Sequence, residues 1–189
     1  MFHLLFFVIF PERKELKMEK AGLQGNWVRS LLTVLTAAVM ALIFCFSMEP
    51  AEQSDETSGR LTRQVISMLY PEYDHYPETQ RTELYDNIQT VVRKAAHFAE
   101  FALLGFLLRL CLESWFGKRR WLGVAGWAAG TVYAGTDEIH QIQVAGRTAQ
   151  WTDVLLDSAG VLTGVLLAVL AVYLIRNRYS RKEAEKACP

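Results

Sequence analysis

Residues 30–47, SLLTVLTAAVMALIFCFS, decide the fold class, because they form an 18-residue run without a charged side chain. As an α-helix rising 1.5 Å per residue, this run is about 27 Å long, close to the hydrocarbon thickness of a bilayer. A buried helix of a soluble protein is the alternative, but a chain of 189 residues would not supply several such helices. The sequence therefore predicts an integral membrane protein.

Three further apolar segments follow, at residues 95–112, 121–136 and 154–175. The middle one, WLGVAGWAAGTVYAGT, has the weakest hydropathy of the four, and its small residues are typical of a helix that packs closely against others. Gly160 and Gly164 form a GxxxG motif in the last segment, which serves packing within one bundle or a homodimer equally well. We predict an all-α, polytopic bundle of four transmembrane helices.

The remaining segments define the domain organisation. Residues 1–29 form an N-terminal segment whose apolar start is too short to span a bilayer and lacks the features of a signal peptide. Met18 is an alternative start site, which would leave residues 1–17 untranslated. The membrane domain covers 30–175, and the charged tail 176–189 is expected to be disordered.

A long polar loop, residues 48–93, separates the first two spans and contains three prolines. Within it, residues 57–69 place apolar side chains at helical spacing. Residues 78–93 are expected to form a second polar helix that leads into the next span. We predict a partly helical loop whose helices lie on the membrane surface.

The distribution of Lys and Arg predicts the orientation. The N-terminal segment, loop 113–120 and the tail carry 13 of them, whereas the segments 48–94 and 137–152 carry six. We therefore expect a multi-pass protein of the cell membrane, with both termini in the cytoplasm and with loops 48–93 and 137–152 outside. Arg109 lies within the second span near its cytoplasmic end, and we expect it to snorkel towards water.

Composition excludes several classes of function. The formal net charge is zero, which gives no reason to expect nucleic acid as a partner. No zinc-finger, P-loop or dinucleotide-binding motif is present, and no cofactor is expected. The cysteines Cys45, Cys111 and Cys188 have no close spacing, which argues against a disulfide framework and against a cysteine metal site.

Three groups of polar residues lie at span ends that the predicted topology brings to the outer side. They are Lys94, His97 and Glu100; Asp137, Glu138, His140, Gln141 and Arg147; and Asp153 and Asp157. Charges that face lipid are costly, so the least costly arrangement turns them inward and pairs Lys94 or Arg147 with a carboxylate. The sequence predicts one outer polar pocket. The simpler hypothesis is that these charges only hold the helices together.

Three stretches carry a family resemblance. RKAAHFAEFALLGFLL (93–108) and TDEIHQIQVAGRTAQWTDVLLDSAGVLTG (136–164) resemble the motifs of the VanZ-like family, and FSMEPAEQSDETSG (46–59) is similar to its segment after the first helix, with Gln53, Ser54 and Ser58 in place. The resemblance covers about residues 30–175. The family is named for a protein linked to resistance to the glycopeptide teicoplanin, so the resemblance implies a role in the bacterial envelope.

Three hypotheses of function remain open. In the first, the chain is not an enzyme and alters the susceptibility of the envelope to glycopeptides. It does so by binding membrane lipid, a lipid-linked cell-wall precursor or a lipoglycopeptide, and the expected ligand-binding residues are Lys94, Gln141, Arg147, Asp153 and Asp157. In the second, it is an intramembrane enzyme for phosphorylated or polyprenyl-linked lipids, with basic residues on phosphate. Its candidate catalytic residues are His97, Glu100, Asp137, Glu138 and His140. In the third, His97, Glu100, Glu138 and His140 hold zinc, although the paired-His helix motif is absent and we expect no metal.

Overall fold

The computed structural model describes residues 25–144 and 150–186, with the backbone alone at 51–55, 57 and 183–186. Every regular element in these ranges is helical, which confirms the all-α prediction. The elements are α1 (Asn26–Ser47), α2 (Ala51–Leu69), a 3-10 turn (Tyr73–His75), α3 (Glu78–Phe116), α4 (Leu122–Gln141) and α5 (Trp151–Lys186).

Three of the described helices are long and apolar enough to cross a membrane: α1, α3 and the Trp151–Lys182 part of α5. The sequence predicted four such helices. α4 covers the remaining predicted span but is not among the three, because glycine and alanine contribute little to its hydropathy. Its buried glycines, among them Gly123, Gly126 and Gly130, face neighbouring helices instead.

Several helices are longer than the sequence indicated. α2 begins directly after Pro50, six residues before the predicted start, and α3 joins the predicted polar helix and the second span into one rod of 39 residues. α5 continues to Lys186, so the prediction of a disordered tail was wrong for residues 176–186. The charged residues of that tail are good helix formers and extend an existing helix without a new nucleation step. Residues 1–24, with Met18, lie outside the described part of the chain.

The closest helix packing is between α3 and α5. A Cβ atom added at Gly105 would lie 2.2 Å from the carbonyl oxygen of Val161, and one added at Gly164 would lie 1.8 Å from that of Ala102. At Gly160 the carbonyl oxygen of Phe98 would be 2.6 Å away. The two backbones therefore meet where only glycine fits, and the GxxxG face of α5 is covered by α3 of the same chain.

A hydrophobic core lies between the membrane helices. Its buried members include Ile43 of α1, Phe101 and Leu104 of α3, Ala134 of α4 and Val161 of α5. Large apolar side chains instead cover much of the outer surface of α1 and α5. A soluble monomer rarely exposes so much contiguous apolar surface, so this surface is suited to lipid.

The bundle has two chemically different ends. At one end, Arg29 Nε of α1 donates a hydrogen bond to the carbonyl oxygen of Ser114, 2.9 Å away, and α5 approaches through Arg176. We call it the arginine end. At the opposite end, which we call the carboxylate end, Lys94 of α3 meets Asp153 of α5. Trp151 and Tyr173 are exposed 22 positions apart on α5, which separates them by about 33 Å along the helix and suits two membrane interfaces.

Candidate functional site

Lys94 links two helices at the carboxylate end. Its Nζ donates a hydrogen bond to Asp153 Oδ1 at 3.0 Å, which joins α3 to the first turn of α5. Both side chains are only partly buried. This pair is one of those expected from the cost of leaving a charge in lipid. The contact joins the first and the third of the predicted groups of polar residues, although Lys94 and Asp153 are 59 residues apart in sequence.

His97 and Glu100 continue the polar face of α3 one turn further into the bundle. His97 Nδ1 lies 3.9 Å from Glu100 Oε2, as the i,i+3 spacing predicts. Glu100 also interacts electrostatically with Asp137 of α4. The side chains of His97 and Glu100 are 23% and 31% exposed, so this polar face of α3 is largely turned into the bundle.

Asp137 and Glu138 of α4 are both buried, with 3% and 7% of their surface exposed. Gln141 Nε2 donates a hydrogen bond to Asp137 Oδ2 at 3.0 Å, one helical turn further on. Glu138 Oε1 accepts a hydrogen bond from the backbone N–H of Gln150 at 2.6 Å, at the start of α5. Glu138 thus holds the end of α4 to the beginning of α5.

Asp157 of α5 is a further buried acidic residue of this end of the bundle. It is 5% exposed, and its Oδ1 atom is buried without a hydrogen-bond partner among the described residues. Its carboxyl group interacts electrostatically with four other carboxyl groups, namely those of Glu100, Asp137, Glu138 and Asp153. We call these five residues the carboxylate cluster.

His140 lies at the edge of the cluster. Its ring stacks on that of Phe44 in α1, with centroids 4.7 Å apart, and its buried Nε2 has no hydrogen-bond partner among the described residues. The remaining predicted ligand-binding residue, Arg147, lies outside the described residues, as do the side chains of Gln53 and Ser54. The structure thus brings all the other predicted site residues to one end of the bundle.

The geometry limits the chemistry of the cluster. Within the described residues, no group of three or more His, Cys, Asp or Glu side chains is arranged to hold a metal ion. The zinc set of His97, Glu100, Glu138 and His140 therefore gains no support from the positions of these side chains. What remains is a buried patch of hydrogen-bond acceptors at the meeting point of α3, α4 and α5.

A second ionic group, at the arginine end, was missed by the sequence analysis. Arg109 Nη1 lies 2.6 Å from Glu113 Oε2, and Arg176 of α5 contacts the other oxygen of Glu113. Arg109 is 7% exposed, so the prediction that it snorkels to water was wrong. The i,i+4 spacing of Arg109 and Glu113 was a visible signal for the first contact.

A cavity of about 370 Å³ lies away from both ionic groups. It is lined by Tyr73, Glu78, Arg81, Thr82 and Tyr85, where the 3-10 turn meets the start of α3. The hydroxyl of Tyr73 donates a hydrogen bond to the carbonyl oxygen of Arg81 at 3.1 Å, which closes this turn on the helix. The cavity is open and includes no predicted site residue.

These features define a multi-pass, all-α membrane protein with a buried carboxylate cluster at one end. The family model described as VanZ/LLP1 matches residues 32–173, and the chain belongs to this family. The resemblance seen in the sequence is thereby confirmed. No curated protein and no solved structure matched the chain.

Proposed function

We propose that this VanZ-like protein resides in the bacterial cell membrane and binds an amphipathic ligand at the carboxylate end, through which it alters susceptibility to glycopeptides such as teicoplanin. The observation that carries the proposal is the placement of Asp137, Glu138 and Asp157. These three residues are buried together, although they come from two helices and lie next to lipid-facing surface. Ionisable side chains buried within a membrane bundle are rare, and they are typical of functional sites in membrane proteins.

Four membrane crossings are part of the proposal. α4 has 20 residues and a length of about 30 Å, which matches the hydrocarbon core. Its exposed large side chains, Val124, Trp127, Val132 and Ile139, are all apolar and follow its full length. We infer that α4 spans the bilayer, with its small residues packed on α3 and α5. The distribution of Lys and Arg then places the carboxylate end outside and both termini in the cytoplasm.

The outer segment would rest on the membrane. α2 buries Thr62 and Ile66, whereas Leu61, Met68 and Leu69 are exposed. A helix that exposes several apolar side chains while carrying charges elsewhere is suited to the lipid interface. In this position, α2 would lie beside the carboxylate end and limit the direction from which a ligand enters.

An experiment in cells tests the proposal. A susceptible bacterium expressing the parent chain is expected to tolerate more teicoplanin than the same strain expressing Lys94→Ala, which loses the contact between α3 and α5. Lys118→Ala is the matched control, because Lys118 is exposed at the arginine end, away from the cluster. Equal susceptibility with parent, variant and empty vector, at equal protein levels in the membrane, would contradict the proposal.

The hypothesis of an enzyme acting on lipid phosphates is less well supported. Phosphate binding calls for Arg or Lys donors, but the carboxylate cluster consists of acidic residues, and Lys94 beside it already contacts Asp153. The enzyme hypothesis would be supported if the purified protein released phosphate from a polyprenyl phosphate and if His140→Ala abolished this release.

A further inference from the structure

We propose that the arginine end binds the phosphate of an anionic phospholipid through Arg29, where α1 meets the end of α3. This site lies at the opposite end of the bundle from the carboxylate cluster, so the inference goes beyond the proposed function. Three features of the structure support it: the fixed position of the Arg29 guanidinium, the excess of positive charge around it, and the exposed aromatic and apolar side chains beside it.

The guanidinium of Arg29 is held in place by α3. Its Nε donates a hydrogen bond to the carbonyl oxygen of Ser114 at 2.9 Å. The guanidinium carbon lies 5.7 Å from the centre of the Trp115 ring, which is within the range of a cation–π contact. A side chain that is already ordered loses little conformational entropy when it binds a ligand.

The Trp115 ring is in turn positioned by α1. Its Nε1 donates a hydrogen bond to Thr33 Oγ1 at 3.1 Å, and the Thr33 hydroxyl donates one to the carbonyl oxygen of Arg29 at 2.8 Å. Arg29, Thr33, Ser114 and Trp115 therefore form one closed network between the two helices. This network fixes the guanidinium relative to both α1 and α3.

The donors of Arg29 outside this network suit a phosphate group. A guanidinium carries five N–H donors, and the bond to Ser114 uses the single donor on Nε. The other four donors lie on the two terminal nitrogens, and their planar arrangement matches two oxygens of one phosphate. Because Arg29 is only partly buried, a ligand at the membrane surface can reach its guanidinium.

Positive charge dominates the arginine end. In the three described segments that meet there, nine residues are Lys or Arg and one residue is acidic; the segments are 25–35, 109–122 and 170–182. The acidic residue, Glu113, is buried, and its two oxygens contact Arg109 and Arg176. An anionic lipid headgroup is attracted by the remaining positive charge, whereas a zwitterionic headgroup gains much less.

The side chains next to Arg29 favour a lipid over a soluble phosphate. Trp27 and Trp115 are both exposed, and tryptophan prefers the level of the lipid headgroups. Val34 of α1 is also exposed and lies more than one helical turn further into the bilayer. A phospholipid whose phosphate contacts Arg29 can thus place an acyl chain along the apolar surface of α1.

The test uses the purified full chain in dodecylmaltoside micelles. Dioleoyl phosphatidylglycerol, dioleoyl phosphatidylcholine and glycerol phosphate are titrated, and the apparent Kd of each is obtained from the rise in melting temperature. Phosphatidylglycerol is expected to bind more tightly than the other two compounds. This preference should persist from about 0.15 M to about 1 M NaCl, because salt screens diffuse attraction between surface charges far more than a direct, partly buried contact.

Substitutions at Arg29 locate the site. Arg29→Ala is expected to weaken the apparent Kd for phosphatidylglycerol by about tenfold or more, because hydrogen bonds to a charged group are lost. Arg29→Lys keeps the charge but lacks the planar pair of donors, so its Kd should lie between those of the parent and Arg29→Ala. It also serves as the second variant, should Arg29→Ala not fold. Lys118→Ala is the matched control, since it removes an exposed charge at the same end and should leave the Kd in high salt nearly unchanged.

Four outcomes would overturn the inference. Equal affinity of the parent for the two phospholipids, or a preference that disappears in high salt, would exclude a specific anionic-lipid site. Equal affinity for glycerol phosphate would exclude a lipid as the ligand. The same apparent Kd for phosphatidylglycerol in the parent and in the Arg29 variants would refute the assignment to Arg29. An equal loss of affinity in Lys118→Ala and Arg29→Ala would replace the site by diffuse attraction. None of these results concerns ligand binding at the carboxylate end.

Discussion

Substitution of Gly164 by alanine tests whether the close approach of α3 and α5 determines stability. The new Cβ atom would lie 1.8 Å from the carbonyl oxygen of Ala102 and 2.7 Å from the amide nitrogen of Phe106. Both neighbours are backbone atoms, which no rotamer change can move. The helices must separate locally by about 1.5 Å before this pair reaches ordinary van der Waals distance.

The expected cost follows from this displacement. Overpacking of a well-packed core costs about 1–3 kcal/mol, and separation of the two helices also weakens contacts next to the substituted residue. Gly135→Ala is the matched control, because a Cβ atom there meets nothing within 4 Å. It is expected to be neutral or stabilising by up to about 1 kcal/mol, as alanine favours helix over glycine. The free energies of unfolding of the two variants should therefore differ by about 1–4 kcal/mol.

Reversible unfolding of the purified protein in mixed micelles, with a rising fraction of sodium dodecyl sulfate, measures this difference. The far-ultraviolet circular dichroism and the tryptophan fluorescence report the loss of packing. If the two alanine variants unfold within about 0.5 kcal/mol of each other, the α3–α5 contact is not the close packing described above.

Three further predictions concern two other contacts and the orientation in the membrane. Glu113→Gln leaves Arg109 buried without a full counter-charge and should lower the free energy of unfolding by about 3 kcal/mol, measured in the same micelles; an unchanged value would contradict the ion pairs at the arginine end. Tyr133→Phe removes the 2.6 Å hydrogen bond that the Tyr133 hydroxyl donates to a backbone carbonyl of α1. The free energy of unfolding should fall by about 0.6–1 kcal/mol by the same measurement. An unchanged value would show that this bond does not stabilise the fold. In a cysteine-free background, Asp86→Cys should react with an impermeant maleimide in intact cells, whereas Lys118→Cys should react only after permeabilisation; the reverse pattern would invert the proposed orientation.

The membrane helices were predictable because the bilayer imposes its thickness on the sequence. A run such as 30–47 has few structural alternatives, and its helix differs from the predicted span by four residues at one end. The i,i+3 contact of His97 with Glu100 was also predictable, since it depends only on helical periodicity. Helix ends in polar segments were less predictable, because no hydrocarbon boundary marks them.

Contacts between distant segments needed the structure. Glu113 and Arg176 are 63 residues apart, and the axial register of α3 against α5 cannot be read from the sequence before the helices are packed. That register is set by Gly105, Gly160 and Gly164, whose positions along the interface determine which turns meet. For the same reason, the sequence grouped the carboxylates at one end of the bundle without indicating that Asp137, Glu138 and Asp157 would be the buried ones.

The continuity of α3 has a mechanical consequence. A helix of 39 residues is about 58 Å long, roughly twice the hydrocarbon thickness, and no proline interrupts it. Its first half packs against α2, and its second half packs against α5. A force that tilts the N-terminal half of α3 is therefore transmitted as torque to its C-terminal half, with Lys94 near the middle of the helix. The segment formed by α2 and the first half of α3 is therefore expected to tilt together with the membrane helices.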